Sequence, residues 1–354
     1  MGDLSDHMKQ YMQELKGQIE AELERFFEDK IREKSDPFIR EMVKDIRDFT
    51  LGGGKRLRPI LVIVGHDLFA EHSDMIVKAS ISMEISQTYF LIQDDVMDQS
   101  TLRRGSSTFH VRIRKRYLQG VPDGSRIAEN ISIVAGDIAE SYSHEALLAS
   151  GFSDSTLILA NEELSRIFET TGEGQLLDVI SPTLESFSQP DLLRLHLWKT
   201  ANYTVSGPLK LGAILSGNQR YIQELSYYGS LVGIAFQIRD DIIGLFGDEK
   251  TVGKSPKSDV NEGKKTLLMM KAMEESDEHQ REFIRSCLES GNVSDEDFVK
   301  LRRIVESSGS LDYSLNLAGM FVRRAKDYLS AVKGNKMEKD FLLWFADYVV
   351  ERKF

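Results

Sequence analysis

Residues 81–98 read ISMEISQTYFLIQDDVMD, and this stretch decides the fold class. Ile81, Ile85, Tyr89, Ile92 and Val96 recur at intervals of three and four, the spacing of one α-helical face. The same helix carries three carboxylates, Asp94, Asp95 and Asp98. A helix turns about 100° per residue, so Asp94 and Asp98 lie ~40° apart, and Gln87 points the same way two turns upstream. The helical period continues outward in both directions. Residues 8–32 read as a charged helix with Leu15, Ile19, Leu23, Phe26 and Phe27 as its apolar stripe. Only 7 prolines interrupt 354 residues, and no strand alternation persists over several segments. The chain is therefore expected to be all-α. Breaks fall at 51–54, 120–125, 181–190 and 247–263, and none is a long Pro/Ser/Gly tract. One domain over 1–354 is expected, with 1–49 as an N-terminal helical segment. Pro208, inside the helical run 201–215, predicts a kink.

The formal net charge is −11, which argues against a general nucleic-acid binder. Cys287 is the one cysteine, so no intrachain disulfide can form and a reducing, cytoplasmic setting is expected. Residues 1–6 are acidic and lack an apolar core, unlike a signal peptide. No apolar run approaches the ~20 residues that span a bilayer.

A second carboxylate pair, Asp240 and Asp241, closes another apolar helix, 230–243. An isolated acidic pair is usually a solvated face. Here Leu91 and Ile92 precede one cluster, and Ile238, Ile242 and Ile243 surround the other, which favours a task. Carboxylates this close repel, and a cation offsets the repulsion. Hard oxygen ligands suit Mg²⁺. Cations accompany both clusters. Gly52, Gly53 and Gly54 directly precede Lys55, Arg56 and Arg58. Glycines let backbone amides approach a phosphate, and Arg offers a bidentate fork. The spacing is not that of a P-loop. Arg103 and Arg104 follow the first cluster; Lys199 with Thr200, then Lys254, Lys264 and Lys265, lie around the second. Two carboxylate patches and four cationic patches can hold two diphosphates, one through metal ions and one directly.

The ordered set GGKRLRP (53–59), DDVMD (94–98), RRG (103–105), GQLLD (174–178), Lys199-Thr200, FQIRDD (236–241) and EGKKT (262–266) resembles the trans-isoprenyl diphosphate synthases. The resemblance runs from about 53 to 266. It implies an isoprenoid synthase fold, an orthogonal helical bundle around a deep central cavity, and a homodimer. By position it makes Asp94, Asp95, Asp98, Asp240 and Asp241 the metal ligands, for Mg²⁺, three per site, or Mn²⁺. Arg103, Lys199, Gln237 and Lys254 would assist the allylic diphosphate, and Thr200, Phe236 and Lys264 would also bind substrate. Lys55, Arg58, Gln87 and Arg104 would bind isopentenyl diphosphate. Position 87 is His in many members, but Gln also occurs. Position 244, Gly here, is a third aspartate in some members, and Asp248 could contribute through water.

The implied reaction is head-to-tail condensation of isopentenyl diphosphate with dimethylallyl or geranyl diphosphate. Metal and cations neutralise the leaving diphosphate. An allylic carbocation forms in a dry pocket, beside Thr200 and the Lys199 carbonyl. Asp94, Asp240, Lys199 and Thr200 are the catalytic residues so implied. In the family the residues four and five before the first aspartate, Phe90 and Tyr89, floor the pocket. Phe90 lies one turn, ~5.4 Å, below Asp94. Paired aromatics there resemble farnesyl diphosphate synthases, so a farnesyl product is expected, with geranylgeranyl as the alternative. A class I terpene cyclase would carry a different second metal motif and would not need Lys55 and Arg58. A non-catalytic partner subunit would tend to lose one carboxylate motif.

Overall fold

A computed structural model describes residues 2–184, 186–247 and 256–351. Helices dominate, as expected. In chain order they are α1 (Gly2–Glu33), α2 (Pro37–Leu51), α3 (Leu57–Asp67), α4 (Asp74–Met97), α5 (Phe109–Tyr117), α6 (Gly124–Leu148), α7 (Asp154–Ile180) and α8 (Gln189–Leu195). A π-helical segment (His196–Ser206) follows, then α9 (Gly207–Leu215), α10 (Ile222–Phe246), α11 (Ser258–Asn261), α12 (Leu267–Glu275), α13 (Glu278–Glu289), α14 (Asp295–Ser307), α15 (Ser310–Ala331) and α16 (Lys336–Glu351). Among the described residues the strands are β1 (Leu102–Arg103) and β2 (Ser106–Ser107), one antiparallel hairpin. No helix among the described residues is long and apolar enough to cross a membrane.

The chain forms two compact units: Met1–Leu164, Pro208–Arg220 and Gly334–Glu338 make one, and Ser165–Gly207, Tyr221–Lys333 and Lys339–Phe354 the other.

In the first unit α4 packs against α3 and α6. The expected single stripe along α4 is not what folds. Residues 79–86 are buried without a gap, whereas Tyr89 and Val96 are only half-buried. Ser80, Ser82 and Ser86 make this possible. Each hydroxyl donates to a carbonyl of its own helix, of Val77, Ala79 and Ser82 respectively, so the serines pack as small neutral side chains. On α1 the expected stripe holds: Leu15, Ile19, Leu23 and Phe27 are buried, and Phe26 is half-buried.

In the second unit α10 packs on the π-helical segment and on α15, and Tyr228 Oη donates to the Leu342 carbonyl at 2.6 Å. Pro208 does not kink one continuous α-helix. It sits in the first turn of α9, where a missing N–H leaves no bond broken. The run before it is wound wider instead. The Gly207 N–H reaches back five residues to the Asn202 carbonyl. Extended π winding is rare and concentrates at functional sites.

Candidate active site

Asp94, Asp95 and Asp98 stand at the C-terminal end of α4, where the helix dipole disfavours anions. The chain answers by folding back. After Gln99 it forms the hairpin, whose turn residues Arg104 and Gly105 both have positive φ, 53° and 74°. A two-residue turn of this kind matches the twist of the strands, and glycine takes it without strain. The hairpin returns Arg103 to the helix end. Its Nε donates to Asp95 Oδ1 at 2.7 Å and its Nη2 to Asp94 Oδ2 at 3.1 Å. Asp95 is fully buried, and its Oδ2 has no hydrogen-bond partner. Burial pushes the Asp95 pKa up to about 6; Arg103 opposes this, and Asp94 and Asp98 add to it.

The glycine run precedes an arginine that does structural work. Arg56 is 2% exposed. It donates to Glu84 Oε1 at 2.5 Å, to the Thr50 carbonyl at 2.9 Å and to Glu20 Oε1 at 3.2 Å. A buried guanidinium is tolerable only with such partners, and they fasten the loop to α4. Lys55 is exposed, and Arg58 and Gln87 are half-buried. Arg104 Nη1 donates to the Gly53 carbonyl at 2.5 Å, which brings the hairpin turn onto the glycine loop. The Arg104 pKa is lowered by desolvation and by Arg56, Arg58 and Arg103, against Glu84. Four guanidiniums acting on one another favour an anion.

One turn below Asp94, the rings of Tyr89 and Phe90 meet edge to face at 4.9 Å. Tyr89 lies toward α6: burial raises its pKa, and Glu140 and Asp137 raise it further.

The second unit builds a chain of contacts around the π-helical segment. Lys199 Nζ donates to Asp178 Oδ2 at 2.5 Å. Thr200 Oγ1 donates to Gln237 Oε1 at 2.8 Å, and Gln237 Nε2 donates to Asp241 Oδ1 at 2.7 Å. Asp241 Oδ2 lies 3.5 Å from His196 Nε2 but accepts no hydrogen bond. Burial raises the Asp241 pKa to about 8, with Asp259 and Asp240 adding and Gln237 and Lys264 opposing. His196 is buried, and its pKa falls to about 4, so it is a neutral neighbour at pH 7. Phe236 and Asp240 are half-buried. Lys264 pairs with Glu262 at 2.6 Å. Lys254 and Asp248 lie outside the described residues.

Two glycines hold the π-helical segment. A Cβ on Gly174 would sit 2.3 Å from the Lys199 nitrogen, and one on Gly233 would sit 2.4 Å from Ala201 Cα. Position 174, from the GQLLD stretch, therefore lets α7 touch the backbone that carries Lys199. Sequence reasoning gave no role to Asp178, His196 or Asp259. Asp178 lay inside a quoted motif, and its pairing with Lys199 needed the fold. His196 carries no spacing signal at all.

Among the described residues no three His, Cys, Asp or Glu side chains are assembled to hold a metal unaided. Mg²⁺ rarely asks for that, because one or two carboxylates, waters and substrate phosphates complete its shell. The residues present fit such an ion: Asp95 and Asp241 each hold a buried carboxylate oxygen that nothing in the protein satisfies.

Similarity to known proteins agrees with the geometry. The polyprenyl synthetase family matches residues 40–305. A geranylgeranyl diphosphate synthase of Sulfolobus acidocaldarius is 32% identical over 305 residues, 85% of this chain and 88% of its own. A short chain isoprenyl diphosphate synthase of Methanothermobacter thermautotrophicus is 32% identical over 338 residues, 92% of this chain and 97% of its own. The crystal structure of a Corynebacterium glutamicum geranylgeranyl pyrophosphate synthase, complexed with isoprenyl diphosphate and magnesium, matches with a TM-score of 0.89 at 28% identity, covering 95% of this chain and 98% of that one. With its carboxylate helix ends, its guanidinium cluster and these relatives, the chain belongs to the polyprenyl synthetase family of prenyl-transferring enzymes.

Proposed function

We propose that this chain condenses isopentenyl diphosphate with allylic diphosphates and releases geranylgeranyl diphosphate. The observation that carries the chemistry is the pair of buried, unsatisfied carboxylate oxygens on Asp95 and Asp241. The relatives favour the geranylgeranyl alternative over the farnesyl product expected from the sequence. The edge-to-face aromatics Tyr89 and Phe90 still favour farnesyl.

Mg²⁺, when bound, would neutralise the allylic diphosphate as its C–O bond breaks. Asp94, Asp95, Asp98, Asp240 and Asp241 would hold the ions, three per site in the family pattern, with Mn²⁺ as a substitute. Lys199, fixed by Asp178, binds the same diphosphate together with Arg103, Gln237, Lys254 and Lys264. Lys55, Arg58, Gln87 and Arg104 bind isopentenyl diphosphate. Thr200 presents its hydroxyl oxygen to the allylic cation, while its O–H donates a hydrogen bond to Gln237 Oε1. The isopentenyl double bond attacks the allylic carbon, and a proton leaves to the released diphosphate. Phe236, Tyr89 and Phe90 line the prenyl chain, and Phe90 limits its growth.

The family match crosses both compact units, which supports one synthase domain over 1–354. Exposed Val134 and Ile158, at 57% and 61%, with Leu176 at 73%, support a homodimer. The single cysteine, Cys287, buried and outside any disulfide, supports a cytoplasmic setting.

The test is chromatography of the dephosphorylated products from purified protein, Mg²⁺, isopentenyl diphosphate and each of dimethylallyl, geranyl and farnesyl diphosphate. A C20 alcohol is expected. A chief C15 product would return the farnesyl reading. Cyclic hydrocarbons would identify a cyclase, and no product at all a non-catalytic subunit.

A further inference from the structure

Arg56 stands between Lys55 and Arg58, two residues read above as ligands of isopentenyl diphosphate, yet it turns inward. Its backbone is left-handed, φ 54° and ψ 34°. That conformation is uncommon outside glycine and persists only where the surroundings over-determine it. They do so here. Nη1 donates to Glu84 Oε1 at 2.5 Å and to the Thr50 carbonyl at 2.9 Å, Nη2 to the Leu51 carbonyl at 3.2 Å, and Nε to Glu20 Oε1 at 3.2 Å. One side chain thus joins the C-terminal end of α2 to α1 and α4. The loop it closes needs such an anchor, because Gly53 and Gly54, at φ 94° and 119°, add backbone freedom.

Glu84 is the charged end of that anchor. It is 3% exposed, and its Oε2 is buried without a hydrogen-bond partner, so Arg56 holds the carboxylate through Oε1. Gln87 lies three residues further along the same face of α4. Thr88, four residues along, meets Thr50 hydroxyl to hydroxyl at 2.8 Å, a second tie between α4 and the end of α2. Across the loop, Arg104 Nη1 donates to the Gly53 carbonyl at 2.5 Å. Desolvation and the charges of Arg56, Arg58 and Arg103 work against the Arg104 charge, and Glu84 sustains it. The four groups assigned to isopentenyl diphosphate are thus all referred to Glu84. Lys55 and Arg58 depend on it through Arg56, Gln87 through the helix, and Arg104 through its charge.

We propose that Glu84 is a positioning residue for isopentenyl diphosphate: through Arg56 it fixes the glycine loop, and with it the spacing of the cations that receive the diphosphate. The inference rests on the reading of Lys55, Arg58, Gln87 and Arg104 as that site. Glu84 touches no substrate in this role. Its effect opposes its own charge, since a carboxylate beside an anion site repels the anion. Positioning and simple charge therefore predict opposite outcomes when Glu84 is neutralised.

The test is steady-state kinetics of the full chain with Mg²⁺, varying isopentenyl diphosphate and the allylic diphosphate separately. Glu84→Gln keeps the acceptor that Arg56 uses and removes the charge. It should raise the KM for isopentenyl diphosphate about tenfold or more, as misplacement of binding groups does, with kcat and the allylic KM unchanged. A smaller rise overturns the assignment, and so does a fall, which charge alone would produce. Equal losses in kcat and in both KM values would show a fold-wide role and overturn it as well. Arg56→Lys keeps the positive charge but reaches fewer of the four acceptors, and it should show the same split. It decides the matter if Glu84→Gln does not fold, which circular dichroism reports. Arg58→Ala, run in parallel, separates the two readings. If it leaves the KM for isopentenyl diphosphate unchanged, the diphosphate reading of this site fails. If only Glu84→Gln and Arg56→Lys are silent, this inference alone fails.

Discussion

The two carboxylate clusters solve the same electrostatic problem in different ways. Asp94 and Asp95, at the end of α4, receive a protein cation, because the hairpin returns Arg103 to both. Asp241 is more deeply buried and hydrogen-bonds to an amide, Gln237, beside a neutral histidine, with Lys264 acting on it without a hydrogen bond. Their pKa values separate accordingly, to about 6 for Asp95 and about 8 for Asp241. The first cluster is charge-compensated before any ion arrives. In the second, burial raises the Asp241 pKa to about 8, so a proton competes with a cation for that carboxylate. Compensation by a guanidinium keeps a site ionised; compensation by a proton makes metal binding depend on pH.

The strongest test of this comparison is removal of one carboxylate from each region. Asp94→Ala and Asp240→Ala should each lower Mg²⁺-dependent turnover by ~100-fold or more, with helical circular dichroism unchanged. Full activity in both would remove the metal assignment. A loss in only one would show that the two clusters do not share the task.

The second region should also be the more sensitive to backbone crowding. Gly174→Ala would push on the Lys199 nitrogen, and overpacking of this kind costs about 1–3 kcal/mol. Urea denaturation should show that loss, and turnover should fall with it. No change in either would mean the π-helical segment is not fixed by α7.

The pH behaviour sharpens the contrast. A carboxyl whose folded pKa exceeds its unfolded value favours the fold at low pH, and that advantage is lost as pH rises through the folded pKa. In chelator, the melting temperature should therefore keep falling between pH 6 and 8 because of Asp241. Asp241→Asn should flatten that window, whereas Asp95→Asn should act mainly below it. Identical profiles for the two variants would break the comparison.

The smallest expected effect is on product distribution. Tyr89→Ala with Phe90→Ala should lengthen the product while leaving turnover of the same order. An unchanged distribution would mean that the aromatic pair only packs against α6.

Much of the candidate site was legible in the sequence because the chemistry proposed for it is carried by residue type and local spacing. Asp94 and Asp98 share a helix face by geometry alone, and GGKRLRP announces cations beside a flexible backbone. The strand hairpin was less legible. Two residues per strand are too few for an alternation to show, although Arg104-Gly105 is a turn signal in retrospect. Ser80, Ser82 and Ser86 misled the stripe on α4, since their polarity disappears once each hydroxyl bonds to its own helix.

By itself the sequence determined the all-α class, the helix ends that carry carboxylates and the family, because these follow from periodicity and from motifs a few residues long. Only the tertiary structure decided which cation meets which carboxylate. It turned Arg56 inward to Glu84 and Arg103 back to Asp95, paired Lys199 with Asp178, wound 196–206 as a π-helix, and set Asp259 against Gly244. Those contacts join residues distant along the chain, and their selection depends on burial and on the space glycines leave, neither of which a local stretch of sequence contains.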